Sequence, residues 1–148
     1  KQEQTPTWYG LFTKEGNATQ SIDVLNSNWM GNTRNRAPIL YSFLLNGQDK
    51  KESIKVKKGK NCSFTYEVTD PDNDSLTYDF VLMPESTDKK AGGDFEKTPE
   101  PISFKIIETT NNQIVIKVPS RSGPYRFFIY IRDNNKNVAT ANIPFYVK

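Results

Sequence analysis

The chain turns at Asp70-Pro71-Asp72-Asn73-Asp74-Ser75-Leu76-Thr77-Tyr78, an acidic stretch between two segments in which apolar and polar residues alternate. Alternation with a period of two is typical of β-strands that bury one face, so this stretch predicts a corner between two strands. Proline fixes its own φ there, and Asp and Asn side chains accept backbone hydrogen bonds locally. The apolar positions on the two sides are Cys62, Phe64, Tyr66 and Val68, and Leu76, Tyr78, Phe80 and Leu82.

Further alternating runs extend outward from the corner in both directions, separated by turn-forming pairs such as Asn46-Gly47 and Asn111-Asn112. Seven to eight short strands at this spacing predict an all-β fold, an antiparallel β-sandwich of immunoglobulin-like topology. In the fifth run we expect Ile102, Phe104 and Ile106 to share one face. The predicted strands are residues 39–45, 53–56, 62–69, 76–83, 102–108, 113–118, 125–132 and 138–147.

The first 31 residues have a different pattern, an aromatic extended run followed by a turn and a helix. The helix is predicted over residues 19–30, with Ile22, Leu25 and Trp29 on one face and Gly31 as its C-terminal cap. One strand and one helix of this length do not form a core of their own. We therefore predict that the aromatic residues of this segment contact a neighbouring domain or a carbohydrate; they are Trp8, Tyr9 and Trp29.

A first resemblance rests on Trp8-Tyr9-Gly10-Leu11-Phe12-Thr13-Lys14-Glu15-Gly16-Asn17-Ala18-Thr19 and its continuation to Val24 and Trp29. This run resembles the closing strand and last helix of a barrel-type bacterial glycoside hydrolase. The resemblance implies that residues 1–31 are the tail of an upstream catalytic barrel, which would be a partner within the parent chain and would hold the catalytic carboxylates. The polar, aperiodic residues 32–37 are then a linker, and residues 38–148 form the sandwich.

A second resemblance covers residues 36–148, which resemble the polycystic-kidney-type or cadherin-like modules appended to bacterial carbohydrate-active enzymes. It implies a non-catalytic accessory module at the C-terminus of a secreted glycoside hydrolase, docking on the catalytic domain or spacing it from the cell surface. It also implies a secreted, periplasmic or cell-surface location in a Gram-negative bacterium. The residues that carry it are Asn35-Arg36-Ala37-Pro38, the corner, and Ala139-Thr140-Ala141-Asn142-Ile143-Pro144-Phe145.

Three alternatives to this docking or spacing role stay open. In the first, the module binds a polysaccharide through exposed aromatic rings, the candidates being Tyr41, Tyr130 and Tyr146. In the second, it is a calcium-dependent, cadherin-like adhesion module. In the third, Trp8 or Trp29 contributes to an active site formed with the upstream barrel. Coplanar aromatic rings along one groove or sheet face would favour the first alternative.

The composition argues against an enzyme and against a nucleic-acid binder. The chain has no His, so it lacks the base of Ser-His-Asp and Cys-His catalysis, and its single Cys62 has no partner for an internal disulfide. Its 20 basic and 17 acidic residues are scattered, giving a net charge of +3 without the basic face that nucleic acid requires. No apolar run approaches the roughly 20 residues that span a bilayer. We predict no catalytic site, no nucleic-acid partner and no membrane span.

The corner carries three aspartates at alternate positions, and alternate aspartates can hold a cation. The EF-hand template fails, because Ser75 and Val81 stand where it requires Gly and Glu. Alternating strand directions should bring the turn that begins at Asp133 and the linker residues Arg34 and Arg36 to the same end. Two interpretations stay open: the arginines neutralise the acids, or calcium binds as the only cofactor, held by Asp70, Asp72, Asp74 and Asp133.

Overall fold

The computed structural model describes residues 10–31, 35–51, 53–87 and 97–148. Predictions that concern residues 1–9, 32–34 and 88–96 therefore fall outside the described residues. In chain order the elements are α1 (Gln20–Met30), β1 (Ile39–Leu45), β2 (Lys55–Val56), β3 (Asn61–Thr69), β4 (Thr77–Pro84), β5 (Lys105–Thr110), β6 (Gln113–Lys117), β7 (Gly123–Arg132) and β8 (Val138–Val147).

The strands form two four-stranded sheets, in the orders β1-β3-β6-β5 and β2-β8-β7-β4. Neighbouring strands are antiparallel, except that β2 pairs in parallel with the end of β8. The chain crosses between the sheets after β1, β2, β3, β4 and β6, and the crossing after β3 is the acidic corner. This arrangement confirms the predicted antiparallel β-sandwich, and it places the corner at one end of the two sheets.

Apolar side chains from alternate positions of both sheets meet between the sheets and form the core. Phe127 of β7 is fully buried there. Its ring centroid lies 4.1 Å from that of Phe64 on the opposite sheet. Three more rings surround it, those of Phe43 at 6.5 Å, Phe80 at 5.8 Å and Phe104 at 5.4 Å. Phe127 therefore joins the two sheets by aromatic packing.

The helix α1 lies outside the core, and none of its residues is buried. It ends at Gly31 as predicted, because a φ of 74° is a left-handed conformation that glycine adopts at little steric cost. The predicted apolar face is only partly covered: Ile22 and Leu25 are half-buried, whereas Trp29 is 79% exposed. The last turn of the helix therefore presents apolar surface to solvent.

The fifth strand differs from the prediction. It begins three residues late, at Lys105, and all of its residues are exposed. Ile102 and Phe104 pack against the core from outside the strand, but Ile106 is 50% exposed. The shared face expected for these three residues was wrong, because β5 is an edge strand on which every residue is exposed, Ile106 included. Its register also shifts between Ile106 and Glu108, which interrupts the alternation further along the strand.

Candidate functional site at the acidic end of the sandwich

The corner between β3 and β4 is a turn built around the side chain of Asp70. Its Oδ1 atom accepts hydrogen bonds from the backbone N–H groups of Asp72, at 2.9 Å, and Asp74, at 3.0 Å. Asn73 completes the turn with a φ of 61°, a left-handed conformation that Asn adopts more readily than most residues. The corner thus forms by the predicted chemistry, a side chain that accepts local backbone donors.

The turn between β7 and β8 is built the same way around Asp133. Its Oδ1 atom accepts the backbone N–H groups of Asn135, at 2.7 Å, and Asn137, at 2.9 Å. Its Oδ2 atom accepts the side-chain amide of Asn137 at 2.8 Å. Asp133 and Asn137 are both buried, so water does not compete for these bonds. Asp133, predicted as a candidate metal ligand in a turn, is therefore also the residue whose side chain shapes that turn.

Asn35, just ahead of the sandwich, links the two turns. Its side-chain amide donates to Asp74 Oδ2 at 2.5 Å, and its side-chain oxygen accepts the Asn137 amide at 2.7 Å. Asn135 donates to the same Asp74 oxygen at 2.9 Å. No local sequence signal predicts these contacts, because Asn35 is 39 residues from Asp74 and 102 from Asn137. We term the whole set the acidic network; it comprises Asp70, Asp74, Asp133, Asn35, Asn135 and Asn137.

Asp72 pairs with Arg36 instead of joining the acidic network. Its Oδ2 atom accepts the Arg36 backbone N–H at 2.7 Å, and its Oδ1 atom lies 3.4 Å from the guanidinium. The guanidinium also donates to the carbonyl of Pro71 at 3.0 Å. The Arg36 side chain is 47% exposed, so the ion pair contributes no more than about 1 kcal/mol. Arg34 lies outside the described residues; within them, an arginine pairs with only this one of the four predicted aspartates.

Asp70, Asp74 and Asp133 lie close enough to share one cation. One carboxylate oxygen of each lies within 4.8 Å of the other two. The Oδ2 atom of Asp70 is buried and accepts no hydrogen bond from the described residues. An unpartnered buried carboxylate oxygen is costly, and a hard cation would satisfy it. Calcium takes six to eight oxygen ligands, so amide and backbone oxygens of the two turns would have to complete the set.

Residues 10–19 form a small hairpin that attaches to the sandwich beside the Asp133 turn. Within it, Phe12 pairs with Ala18. Ala18 then makes two backbone hydrogen bonds of 2.8 Å with the start of β8, donating to the Lys136 carbonyl and accepting from the Val138 N–H. The hairpin therefore extends the edge of the second sheet at the end that carries the acidic network.

The helix is held to the sandwich through Asp23. Its Oδ2 atom accepts the backbone N–H of the buried Ala37 at 2.8 Å. Burial raises the pKa of Asp23; the Ala37 hydrogen bond and the Arg36 charge oppose this rise, and the carboxylates of Asp72 and Asp133 add to it. The net pKa is raised, so the contact relies on a carboxylate whose charged form the fold disfavours.

We expect Asp23→Asn to be the more stable protein at neutral pH. A carboxyl group whose pKa is raised by folding binds more protons in the folded state, so wild-type stability falls as pH rises through that raised pKa. Asn still accepts the Ala37 N–H and does not titrate. In thermal melting from about pH 3 to pH 7, the Tm of the variant should rise relative to that of the wild type as the pH rises. A difference independent of pH would contradict this account, and Asp23→Ala, which lacks the acceptor, should be less stable than Asn throughout.

The three tyrosines considered as a carbohydrate platform do not share one surface. Tyr41 is 60% exposed, and its hydroxyl makes a 3.3 Å hydrogen bond within the first sheet. Tyr130 lies on the second sheet, with the guanidinium of Arg132 5.4 Å from its ring centroid. Tyr146 is on the same sheet, but it lies about 20 Å further along β8 than Thr140, the residue that pairs with Tyr130.

Of the residues predicted to contact a domain or a carbohydrate, Trp8 and Tyr9 lie outside the described residues. Trp29 is exposed at the last turn of α1, next to Met30, which is 78% exposed. Large exposed apolar side chains that lie together are typical of a surface that contacts another molecule or domain. The contact itself stays a prediction.

No family model matches the chain, and no curated protein sequence matches it. Among solved structures, it is similar to a nucleoside hydrolase-related hypothetical protein from Saccharophagus degradans associated with carbohydrate metabolism, at 19% identity and a TM-score of 0.45. That match covers 77% of this chain and 26% of the other, so the chain spans about a quarter of that protein. The copper resistance protein PcoC from Escherichia coli is similar at 17% identity, with a TM-score of 0.42 and coverage of 76% and 99%. Murine CRIg is similar at 6% identity, with a TM-score of 0.41 and coverage of 75% and 96%.

The strand order itself defines the class of the protein. The fold is an immunoglobulin-like β-sandwich, because a sheet in the order β1-β3-β6-β5 faces a sheet in the order β2-β8-β7-β4. The first two strands lie at the edges of different sheets, β1 in the first sheet and β2 in the second. Within the described residues no helix is long and apolar enough to cross a membrane. This class of fold carries no particular activity.

Proposed function

We propose that this chain is a non-catalytic accessory module of a secreted bacterial carbohydrate-degrading enzyme, and that it fixes the orientation of the domain ahead of it. The observation that carries the proposal is the double attachment of residues 10–31 and 35–37 to one end of the sandwich. The hairpin pairs with β8 through Ala18, and the helix and linker are bonded through Asp23 and Asn35. A flexible tether would need none of these contacts.

The exposed end of the helix supports a docking role. Trp29 and Met30 lie on the last turn of α1, a helix that the sandwich holds through Asp23 and Ala37. A preceding domain that packed on these side chains would therefore be set at a fixed angle to the sandwich. The resemblance of residues 8–29 to the end of a glycoside hydrolase barrel supplies the proposed identity of that domain.

Releasing the hairpin tests the orienting role. Ala18→Pro removes the N–H that bonds the Lys136 carbonyl, and a lost hydrogen bond of about 0.5–1.5 kcal/mol should accelerate amide exchange in the helix up to about tenfold. Ala18→Ser keeps the N–H and is the matched control. The proposal fails if the helix amides exchange equally in both variants, or if the purified chain hydrolyses aryl glycosides.

A second candidate function is calcium binding by the acidic network. The observation that favours it is the buried, unpartnered Oδ2 atom of Asp70 beside the carboxylates of Asp74 and Asp133. A bound ion would join the corner, the Asp133 turn and the linker, and would stiffen the attachment proposed above. It would also be the feature that a calcium-dependent adhesion module requires.

Melting in millimolar calcium and in EDTA at equal ionic strength tests the calcium proposal. At a hundredfold excess over its dissociation constant, calcium should add about 2.7 kcal/mol and raise Tm by about 5–10 °C. Asp70→Asn should abolish this rise, whereas Asp72→Asn, in the same turn but outside the network, should keep it. Equal midpoints in calcium and EDTA would leave the acidic network as turn chemistry alone.

A further inference from the structure

A groove of about 1020 Å³ runs along the side of the sandwich, between β1 of the first sheet and β8 of the second. Its walls include the consecutive residues 40–44 and 138–142. Because successive side chains of a strand point to opposite faces, a run of consecutive residues lines a groove with its backbone edge. The groove therefore opens between the edges of two strands.

The β8 edge presents backbone donors to this groove. The N–H groups of Val138 and Tyr146 point away from β7, since they donate to Ala18 and Ile54 respectively. N–H groups alternate in direction along a strand, so those of Thr140 and Asn142 lie on the same edge. Within the described residues, no strand pairs with that edge between Val138 and Tyr146. Pro144, the remaining even-numbered residue, has no N–H to offer.

The gap is bracketed at both ends by segments that already pair with β8. Ala18 pairs beside Val138, and β2 pairs from Tyr146 onward. The seven residues between span about 23 Å. The edge of a second folded copy would collide with the hairpin at Ala18 and with β2 before it reached the unpaired part of β8, whereas a single extended chain fits between them. The shape therefore favours a peptide over a dimer of this chain.

The side chains around the gap indicate what such a peptide would carry. Ala139 and Ala141 are half-buried and small, and with Leu40 they leave apolar space at the margin of the core. A guest side chain at alternate positions would enter that space. The charged residues that line the groove balance, three basic against three acidic, which favours a guest without net charge; they are Lys14, Lys50, Arg132, Glu15, Asp49 and Asp79.

We propose that this groove binds one extended segment of a partner protein, uncharged and apolar at alternate positions, as an added strand on β8. Main-chain hydrogen bonds to Thr140 and Asn142 would supply affinity, and the space over Ala139 and Ala141 would select side chains. This interaction surface is separate from the acidic network and does not depend on the function proposed above.

Amide hydrogen exchange of the protein alone provides the first test. The amides of Thr140 and Asn142 should exchange fast, and those of Ala139 and Ala141, which face β7, should exchange slowly. Slow exchange at Thr140 and Asn142 would overturn the proposal, because this chain would then fill its own groove. A dimer that formed with rising concentration and protected the same amides would overturn it as well.

A phage-displayed library of random seven-residue peptides is the probe for binding. Selected peptides should be uncharged and alternate apolar with polar residues, and a selected peptide should bind Thr140→Pro at least about tenfold more weakly. Thr140→Ala keeps the N–H and should bind as the wild type does. If Thr140→Pro does not fold, N-methylation of alternate peptide residues removes the reciprocal hydrogen bonds, which peptide N–H groups donate to carbonyls on the same β8 edge, and should abolish binding. The absence of enriched peptides, or equal affinity for the proline and alanine variants, overturns the proposal.

Discussion

Phe127→Ala should lower the free energy of unfolding by about 3–5 kcal/mol, the largest effect we expect of any single substitution. Phe127 is fully buried, and its ring packs with four others, of which Phe43 and Phe64 lie in the first sheet, Phe80 lies in the second and Phe104 lies just ahead of β5. Removing it opens a cavity that the surrounding strands cannot close without breaking their pairing, so both transfer and cavity terms contribute. Urea unfolding, followed by far-ultraviolet circular dichroism, measures the change in the free energy of unfolding.

The matched control is Phe128→Ala, one residue further along the same strand. Its side chain faces outward, half-buried beside Tyr130, with ring centroids 6.5 Å apart. We expect this substitution to cost about 1 kcal/mol, since only part of the ring leaves water on folding. Comparable losses for the two variants would show that the inward and outward faces of β7 have been misassigned.

This contrast also shows why alternation predicted so much of the fold. The parity of Tyr125, Phe127, Ile129 and Ile131 fixes which face of β7 is buried, and all four are buried. Parity is a local property, so a sequence reveals it wherever a strand has one wet face and stays in register. It failed in β5, where both conditions are absent: all residues are exposed and the register shifts.

The attachment of the first segment could not be predicted in this way. Ala18 bonds to Lys136 and Val138 through backbone groups that every residue possesses. No side-chain pattern marks a backbone partner that lies more than a hundred residues away. The Asp23 carboxylate accepts the backbone N–H of Ala37, and no side-chain pattern marks that donor either. The acidic corner was predictable because Asp70 acts on its own neighbours, whereas the role of Asn35 depends on which ends the folded strands bring together.

The second large effect concerns Asp133. Asp133→Ala should cost about 2–4 kcal/mol, because it removes three hydrogen bonds and leaves the N–H of the buried Asn137 without its acceptor. The turn between β7 and β8 also carries the contacts of Ala18 and Asn35, so its loss should loosen the hairpin and the linker together. Chemical denaturation gives the loss in stability, and amide exchange at Asn135 and Asn137 shows whether the turn opens.

Asp133→Asn distinguishes the turn role from a metal role. Its side-chain oxygen can still accept the N–H groups of Asn135 and Asn137, so without calcium it should lose less than half as much stability as Asp133→Ala. It does, however, remove one of the three carboxylates that lie within 4.8 Å of one another. If the network binds calcium, the Asn variant should therefore lose the calcium-dependent rise in Tm while keeping most of its stability in EDTA. If Asn and Ala prove equally destabilising in EDTA, the hydrogen bonds assigned to the Asp133 Oδ1 atom do not account for the stability of the turn.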